Sequence, residues 1–176
     1  MLKEKTRKNL ETAFAGESMA RNKYDYFASV ARKAGYVQIA NIFEESALNE
    51  KEHAKLWAKQ LELINEDTLK NLAEAVKGET YEYSDMYQQM AADATEEGHH
   101  ELAALFRNVA KAEKAHAERY QKLYDNLETG EVFKKKEVKR WKCNNCGYIH
   151  EGTEAPEKCP SCQHPQAHFE VFVETY

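Results

Sequence analysis

Two short stretches of the sequence place acidic and histidine side chains together within helix-like patterns. Residues 49–57 read NEKEHAKLW and residues 112–120 read AEKAHAERY, and each has a Glu followed three positions later by a His. Residues three apart share one face of an α-helix, so Glu50 with His53, and Glu113 with His116, can reach one point. Both pairs lie on the apolar stripe of their helices, where an unpaired carboxylate costs several kcal/mol. The two pairs are therefore candidate metal ligands.

The elements that must position these pairs read as helices. From Leu2 to about Leu127, apolar residues recur at intervals of three and four, and no proline occurs before residue 155. Gly35 and Gly98 mark breaks between helices, and one helix is expected from about Glu79 to Glu97.

This helical region resembles itself. Residues 31–54 match residues 94–117 at nine of 24 positions with an offset of 63, and Gly16–Glu17 matches Gly78–Glu79 with an offset of 62. Each half is then a helix pair, with one Glu on its first helix and a Glu-x-x-His on its second. Two such pairs packed face to face would form a four-helix bundle. The carboxylate and imidazole groups expected to converge in its core are Glu17, Glu50, His53, Glu79, Glu82, Glu113 and His116.

Five carboxylates in one core require cations between them. Two ferrous ions bring four positive charges and two ferric ions six, so the set suits a pair of ions that changes oxidation state. Mixed carboxylate and imidazole ligands favour iron or manganese over magnesium, calcium or structural zinc. The layout is similar to that of ferritin-like di-iron proteins. One Glu-x-x-His alone would indicate a surface salt bridge, whereas two at repeat-equivalent positions favour a metal site.

A second candidate site follows the helices. Residues 141–162 read WKCNNCGYIHEGTEAPEKCPSC and hold all four cysteines as two CxxC pairs, which can bind one tetrahedral metal ion. Zinc and iron both accept four thiolates. The aromatic residues Trp141, Tyr148 and Phe169, which can shield a redox centre, and the tethered di-iron candidate favour iron.

The change of composition predicts two domains, a helical bundle of residues 1–134 and a Cys-rich domain of residues 135–176 made of short β-hairpins and loops. The connector ETGEVFKKKEVKR between them is interpreted as a charged linker. Its lysine run at 134–136 is interpreted as solvated, with a docking patch for an acidic partner as the alternative.

Composition also excludes some classes of function. A net charge of −5 gives no support to nucleic-acid binding. No run of 18 apolar residues exists and the N-terminus is charged from Lys3, so neither a membrane span nor a signal peptide is expected. CxxC pairs without a secretion signal indicate a metal site in a reducing, cytoplasmic compartment.

With these motifs in order, the chain resembles the rubrerythrins, which join a ferritin-like di-iron domain to a rubredoxin-like domain. FAGES at 14–18, NEKEHA, GETYE at 78–82, AEKAHAERY and the two cysteine pairs carry the resemblance. It implies an all-α ferritin-like four-helix bundle with a small C-terminal rubredoxin-like domain. It also implies that all seven Glu and His residues named above bind two irons, that Glu50 and Glu113 bridge them, and that Glu82 and His53 exchange on one iron during redox change. The implied ligands of the single-iron FeS4 site are Cys143, Cys146, Cys159 and Cys162, with zinc as a possible substitute.

The resemblance further implies a cytoplasmic homodimer or larger homo-oligomer that reduces hydrogen peroxide to water. Its electrons would come from NAD(P)H through separate proteins, rubredoxin or its reductase, and enter at the FeS4 centre. The main alternative is a ferroxidase or iron-handling protein, which would have no need for the FeS4 module. An oxygenase is disfavoured because Glu82 fills coordination space, and a zinc-ribbon adaptor leaves the acidic core unexplained. Tyr24 and Tyr87 remain open between core packing and hydrogen bonding to metal-bound carboxylates.

Overall fold

The computed structural model describes residues 2–175. The described chain forms two compact units, of which the first ends at Glu66 and the second begins at Asp67. In chain order the helices are α1 (Glu4–Lys33), α2 (Val37–Gln60), α3 (Thr68–Tyr81), a π-helical turn (Glu82–Met86), α4 (Tyr87–Glu96) and α5 (His100–Glu128). They are followed by β1 (Lys134–Cys143), β2 (Ile149–Glu154), a 3₁₀ turn (Gln166–His168) and β3 (Phe169–Val171).

The first unit is a hairpin of α1 packed against α2. Gly35 supplies the reversal with a φ of 85°, a conformation that residues with a Cβ rarely adopt. The Tyr36 amide donates to the Ala31 carbonyl at 2.9 Å and closes the turn. The most buried residues of the hairpin are small, which lets the two helices approach closely; they include Ala28, Ala31, Ala40, Ala47, Ala54 and Ala58.

The helices of the second unit reproduce this arrangement. The Asp67 side chain caps α3 by accepting from the Leu69 amide at 2.9 Å, and α5 packs against both α3 and α4. Gly98 turns the chain with a φ of 82°, and the His99 amide donates to the Ala94 carbonyl at 2.7 Å. This bond lies 63 residues after its counterpart in the first hairpin, as do the buried alanines Ala103, Ala110 and Ala117. The internal repeat read from the sequence is therefore present as two similar helix pairs.

The helix expected from about Glu79 to Glu97 was predicted incompletely. Helical structure begins at Thr68 and is interrupted by a π-helical turn at Glu82–Met86, in which the Tyr87 amide donates to the Glu82 carbonyl five residues earlier. The sequence does carry a signal for the first half of this helix, because Leu69, Leu72, Ala73 and Val76 have the i, i+3, i+4, i+7 spacing of an amphipathic helix. The expected start at Glu79 was therefore too late.

The C-terminal residues form a three-stranded antiparallel sheet in the order β2-β1-β3. A small core lies beneath it, made of Trp141, Cys143, Ala155, Cys159 and Phe169. The Trp141 indole donates to the Gly152 carbonyl at 2.9 Å. The sheet thus surrounds two of the four cysteines with apolar side chains.

The predicted linker is wrong for its second half, because residues from Lys134 onward belong to β1. The lysine run also has polar partners there: Lys134 lies 3.8 Å from Glu154 and Lys136 lies 3.9 Å from Glu131. Lys135 donates to the side chain of Asn126 at 2.8 Å. The side chains of Lys134 and Lys136 remain largely exposed, as the interpretation of a solvated lysine run expects. Within residues 2–175, none of the helices has the length and apolarity that crossing a bilayer requires.

Candidate metal centres

The first hairpin brings three of the predicted ligands together. Glu17 lies on α1, and Glu50 and His53 lie one turn apart on α2. His53 Nδ1 is 2.7 Å from Glu50 Oε2 and 4.0 Å from Glu17 Oε1. One donor atom from each residue lies within 4.8 Å of the others, which is a spacing that a metal ion can bridge.

The second unit holds an equivalent triad. Glu79 lies on α3, and Glu113 and His116 lie on α5. His116 Nδ1 is 2.7 Å from Glu113 Oε2 and 3.6 Å from Glu79 Oε2, and these three groups also meet the 4.8 Å spacing. Burial and the charge of Glu113 raise the pKa of the Glu79 carboxyl, while the His116 imidazole acts in the opposite direction. The two carboxylates thus repel each other without a cation, and a bound metal ion would relieve this repulsion.

The donor atoms of both triads suit iron. Each triad offers two carboxylates and one imidazole nitrogen, a combination that iron and manganese accept readily. The carboxylates are only partly exposed, between 15% and 29% of the side chain. The matching distances in the two triads support the interpretation of the Glu-x-x-His pairs as repeat-related ligands.

Glu82 is not part of either triad. It is the first residue of the π-helical turn, and its charge contributes to the raised pKa of both Glu79 and Tyr87. The carboxylate therefore lies near the second triad. Its role as a further ligand remains a prediction.

The two tyrosines have different surroundings. Tyr24 is partly buried and lies beside Phe27 and Phe43, with ring-centroid distances of 6.3 and 6.0 Å. Tyr87 lies against Phe106, and its pKa is raised by burial and by the charges of Glu82 and Glu113.

The ring contacts of Tyr24 are those of core packing, and Tyr87 lies beside the acidic cluster. Hydrogen bonding of either hydroxyl to a metal-bound carboxylate remains a prediction.

The four cysteines form a compact cluster in the small domain. The Sγ atoms of Cys143 and Cys162 are 3.7 Å apart, and those of Cys146 and Cys159 are 3.6 Å apart. A disulfide would require about 2.05 Å, whereas thiolates around a tetrahedral metal with bonds of about 2.3 Å lie about 3.8 Å apart. The cluster therefore has the geometry of a metal site.

Each cysteine pair forms the same type of turn. The Cys143 amide donates to the Tyr148 carbonyl and the Cys159 amide donates to the His164 carbonyl, both at 2.9 Å. The Gly147 amide donates to the Cys143 carbonyl at 2.8 Å, and the Gln163 amide donates to the Cys159 carbonyl at 2.9 Å. The two loops are thus structurally equivalent, although their sequences differ.

Backbone amides also reach the sulfur atoms. The His164 amide donates to Cys162 and is the main reason that the pKa of this thiol is lowered to about 5. The Tyr148 amide acts on Cys146 in the same direction, but burial and the neighbouring thiols raise the pKa of Cys146 to about 11. The loop amides thus stabilise negative charge on sulfur, the form in which cysteine binds metals. The sequence did not identify these donors, because any non-proline residue supplies an amide.

The folds and sites define a class of protein: a helical metalloprotein with carboxylate–imidazole sites and an appended thiolate metal site. The model of the rubrerythrin family matches residues 8–124, and that of the rubrerythrin rubredoxin-like domain matches residues 141–170. The chain belongs to the rubrerythrin family. Its fold class is accordingly ferritin-like helices followed by a small rubredoxin-like domain.

Relatives cover nearly the whole chain. Rubrerythrin from Clostridium perfringens is 55% identical, with 98% of this chain and 96% of the relative covered. Rubrerythrin from Nitratidesulfovibrio vulgaris is 47% identical over 95% and 94%, and nigerythrin from the same organism is 37% identical over 95% and 86%. A solved structure of nigerythrin in a mixed-valence state is 36% identical over 95% and 86%, with a TM-score of 0.36.

Family membership also identifies the cofactors. Rubrerythrins are iron proteins of the oxidoreductase class that work with redox partners, and this chain has the residues for both kinds of iron site. Each carboxylate–imidazole triad offers donors that could hold iron, and the four cysteines offer donors for a single iron.

Proposed function

We propose that this protein is a non-haem di-iron peroxidase that reduces hydrogen peroxide to water in defence against oxidative stress. The observation that carries the proposal is the presence of two equivalent carboxylate–imidazole triads in the same chain as a four-thiolate cluster. A catalyst that repeatedly reduces a substrate needs a route for electrons, and the thiolate site offers one.

The complete ligand set is part of the proposal. We propose that the two irons are bound by the two triads together with Glu82, that Glu50 and Glu113 bridge them, and that Glu82 and His53 exchange on one iron as its oxidation state changes. The helical domain would comprise residues 1–134 and the rubredoxin-like domain residues 135–176.

The overall reaction is H₂O₂ + 2 e⁻ + 2 H⁺ → 2 H₂O. Iron in the helical sites supplies a pair of one-electron redox centres, and iron on the cysteines supplies a third. Tyr87 lies beside Glu82 and Glu113, and burial together with these two charges raises its pKa. A tyrosine carries its phenolic proton at neutral pH even at its ordinary pKa. The Tyr87 hydroxyl is thus a candidate proton donor near the reacting groups. The amides of Tyr148 and His164 stabilise the thiolates of the electron-entry site.

We propose that the electrons come from NAD(P)H through rubredoxin or its reductase, and that the protein works in the cytoplasm as a homodimer or larger homo-oligomer. The test is an anaerobic assay with NADH, a rubredoxin reductase, rubredoxin and peroxide. Equal consumption of NADH and peroxide without oxygen release is expected. Oxygen release, or NADH oxidation that does not depend on peroxide, would contradict the proposal.

The alternative function is a ferroxidase, which the two triads support without any contribution from the cysteines. The variant Cys146→Ser distinguishes the functions. For a peroxidase, donor-linked peroxide reduction should be lost while the helical sites keep their iron. For a ferroxidase, oxidation of added ferrous iron should be the main activity of the wild type and should be unchanged in Cys146→Ser.

A further inference from the structure

The register of the internal repeat changes inside one helix of the second unit. The offset is 62 at Gly16–Glu17 and 63 from Ala31 onward, so the second half contains one additional residue between Glu79 and Ala94. In the first half the matching interval lies within the uninterrupted helix α1. In the second half it contains the π-helical turn at Glu82–Met86.

A π-helical turn accommodates one extra residue within an otherwise α-helical segment. Each residue turns an α-helix by about 100°, so an insertion without such a turn would rotate everything after it to another face. Glu79 before the π-turn, Glu82 as its first residue, and Ala91 and Ala94 after it all lie on the partly or fully buried side of the helix. It also places Tyr87 beside Glu82.

The turn changes the hydrogen bonding of one backbone carbonyl. In an α-helix the Tyr87 amide would donate to Tyr83, but here it donates to Glu82. The Tyr83 carbonyl therefore loses its α-helical donor. The side-chain amide of Gln88 takes this place, with Nε2 donating to the Tyr83 oxygen at 3.0 Å.

We propose that Gln88 is a positioning residue that holds the π-turn closed through this bond and thereby sets the positions of Glu82 and Tyr87. The proposal rests on the proposed di-iron peroxidase function, in which both residues act near the metals. Ser84 also bonds within the turn, donating to the Thr80 carbonyl at 2.7 Å. Gln88 differs because it satisfies the carbonyl that the π-turn itself releases.

The chain offers a matched control at the next position. Gln89 has the same side chain on the same helix, but its Nε2 donates to Asp93 Oδ1 at 2.7 Å, a contact between two exposed side chains one turn apart. The variants are Gln88→Leu, which removes the amide, Gln88→Glu, which keeps the shape but has no N–H donor at neutral pH, and Gln89→Leu. All are made in the full-length, iron-loaded protein.

The first measurement is hydrogen exchange of the backbone amides. A hydrogen bond of this kind contributes about 0.5–1.5 kcal/mol, so both Gln88 variants should exchange roughly two- to twelvefold faster at residues 83–88. Gln89→Leu should match the wild type there. Unchanged exchange in the Gln88 variants, or an equal increase in Gln89→Leu, would overturn the proposal.

The second measurement separates positioning from simple local stability. The Gln88 variants should keep their iron, shift the midpoint potential of the di-iron centre and lower kcat for peroxide several-fold more than they change KM. Faster exchange with unchanged potential and unchanged kcat would show that Gln88 only stabilises the helix, and the proposal would be wrong. A wild type without peroxidase activity would refute the proposed function, while exchange and potential would still decide the role of Gln88.

Discussion

Gly147 and Gln163 occupy the same position in the two cysteine turns, one residue after the second cysteine, and both have left-handed backbone conformations. Their φ angles are 80° and 60°, and their amides donate to the carbonyls of Cys143 and Cys159. The turn therefore requires a positive φ at this position in both loops. One loop meets the requirement with glycine, and the other accepts the strain of a side chain.

Gly147→Ala should destabilise the iron-loaded rubredoxin-like domain by about 1–2 kcal/mol, because a Cβ disfavours this conformation. Steric clash is not the cause, since no heavy atom lies within 4 Å of the position of an added Cβ. Gln163→Ala should cost much less, because that position already carries a Cβ and its side-chain bonds are long, at 3.3 and 3.5 Å. Both losses of stability can be measured by denaturant titration, with the iron–thiolate absorption as the signal. Equal losses in the two variants would contradict the argument.

Trp141→Phe should destabilise the same domain by about 1–3 kcal/mol, because it removes a buried donor from the Gly152 carbonyl and leaves space in the core. Val138→Ala is the control on the same strand, since Val138 is 66% exposed. It should change stability by less than about 0.5 kcal/mol. Comparable effects of the two substitutions in denaturant titrations would show that the Trp141 contact contributes little.

His53→Ala and His116→Ala should lower the iron content to similar extents, because the two triads have matching geometry. The wild type should bind three irons per chain, one for each of the three candidate ligand groups. The cysteine site should stay filled in both variants, and His100→Ala, at an exposed helix start, should bind as the wild type does. Metal analysis with visible spectroscopy tests this, and a wild type with one iron bound only by cysteine would disprove the di-iron assignment.

Glu82→Ala should retain both helical irons but raise the potential of the di-iron centre, because one anion that favours the ferric state is lost. Peroxide turnover should become slower and reaction with oxygen relatively faster. Glu50→Ala should instead lose iron, since a proposed bridging ligand is removed. The measurements on both variants are the iron content, the midpoint potential of the di-iron centre and the rates of oxidation by peroxide and by oxygen. If Glu82→Ala loses as much iron as Glu50→Ala, or keeps wild-type potential and rates, the exchange role of Glu82 is wrong.

A protein truncated to residues 1–134 should fold as a helical, di-iron protein without donor-linked turnover. The last residue of this fragment is the first of β1, so the truncation removes almost the whole sheet. Circular dichroism, iron content and NADH-linked peroxide reduction provide the measurements. An unfolded fragment would contradict the proposed domain boundary, and full donor-linked activity would contradict electron entry at the cysteine site.

The sequence was sufficient to predict three of the long helices, their repeat and the approach of the Glu and His side chains within each triad. The role of these side chains as iron ligands stays a prediction. Spacing alone places Glu113 and His116 on one helix face, and the structure confirms their contact at 2.7 Å. The CxxC pairs likewise predicted the cysteine cluster, because two residues between cysteines leave few ways to bind one metal ion.

Other features depended on contacts that no local pattern encodes. The apparent linker became β1 because residues 139–143 pair with β2 on one side and β3 on the other, and this pairing is non-local. The sequence also could not predict the surroundings of Tyr24 and Tyr87, because side chains of other helices, Phe43 and Phe106, form part of them.

The π-turn depends partly on the sequence and partly on the tertiary structure. The sequence alone determined that one residue had been added to the second half, through the change of offset from 62 to 63. It did not determine where the helix would accommodate this residue, because the change of offset limits the position only to the interval between Glu79 and Ala94. The tertiary structure places the turn at Glu82–Met86. It follows Glu79, which lies 3.6 Å from His116 of α5, and precedes the buried residues Ala91 and Ala94, so both contacts are kept.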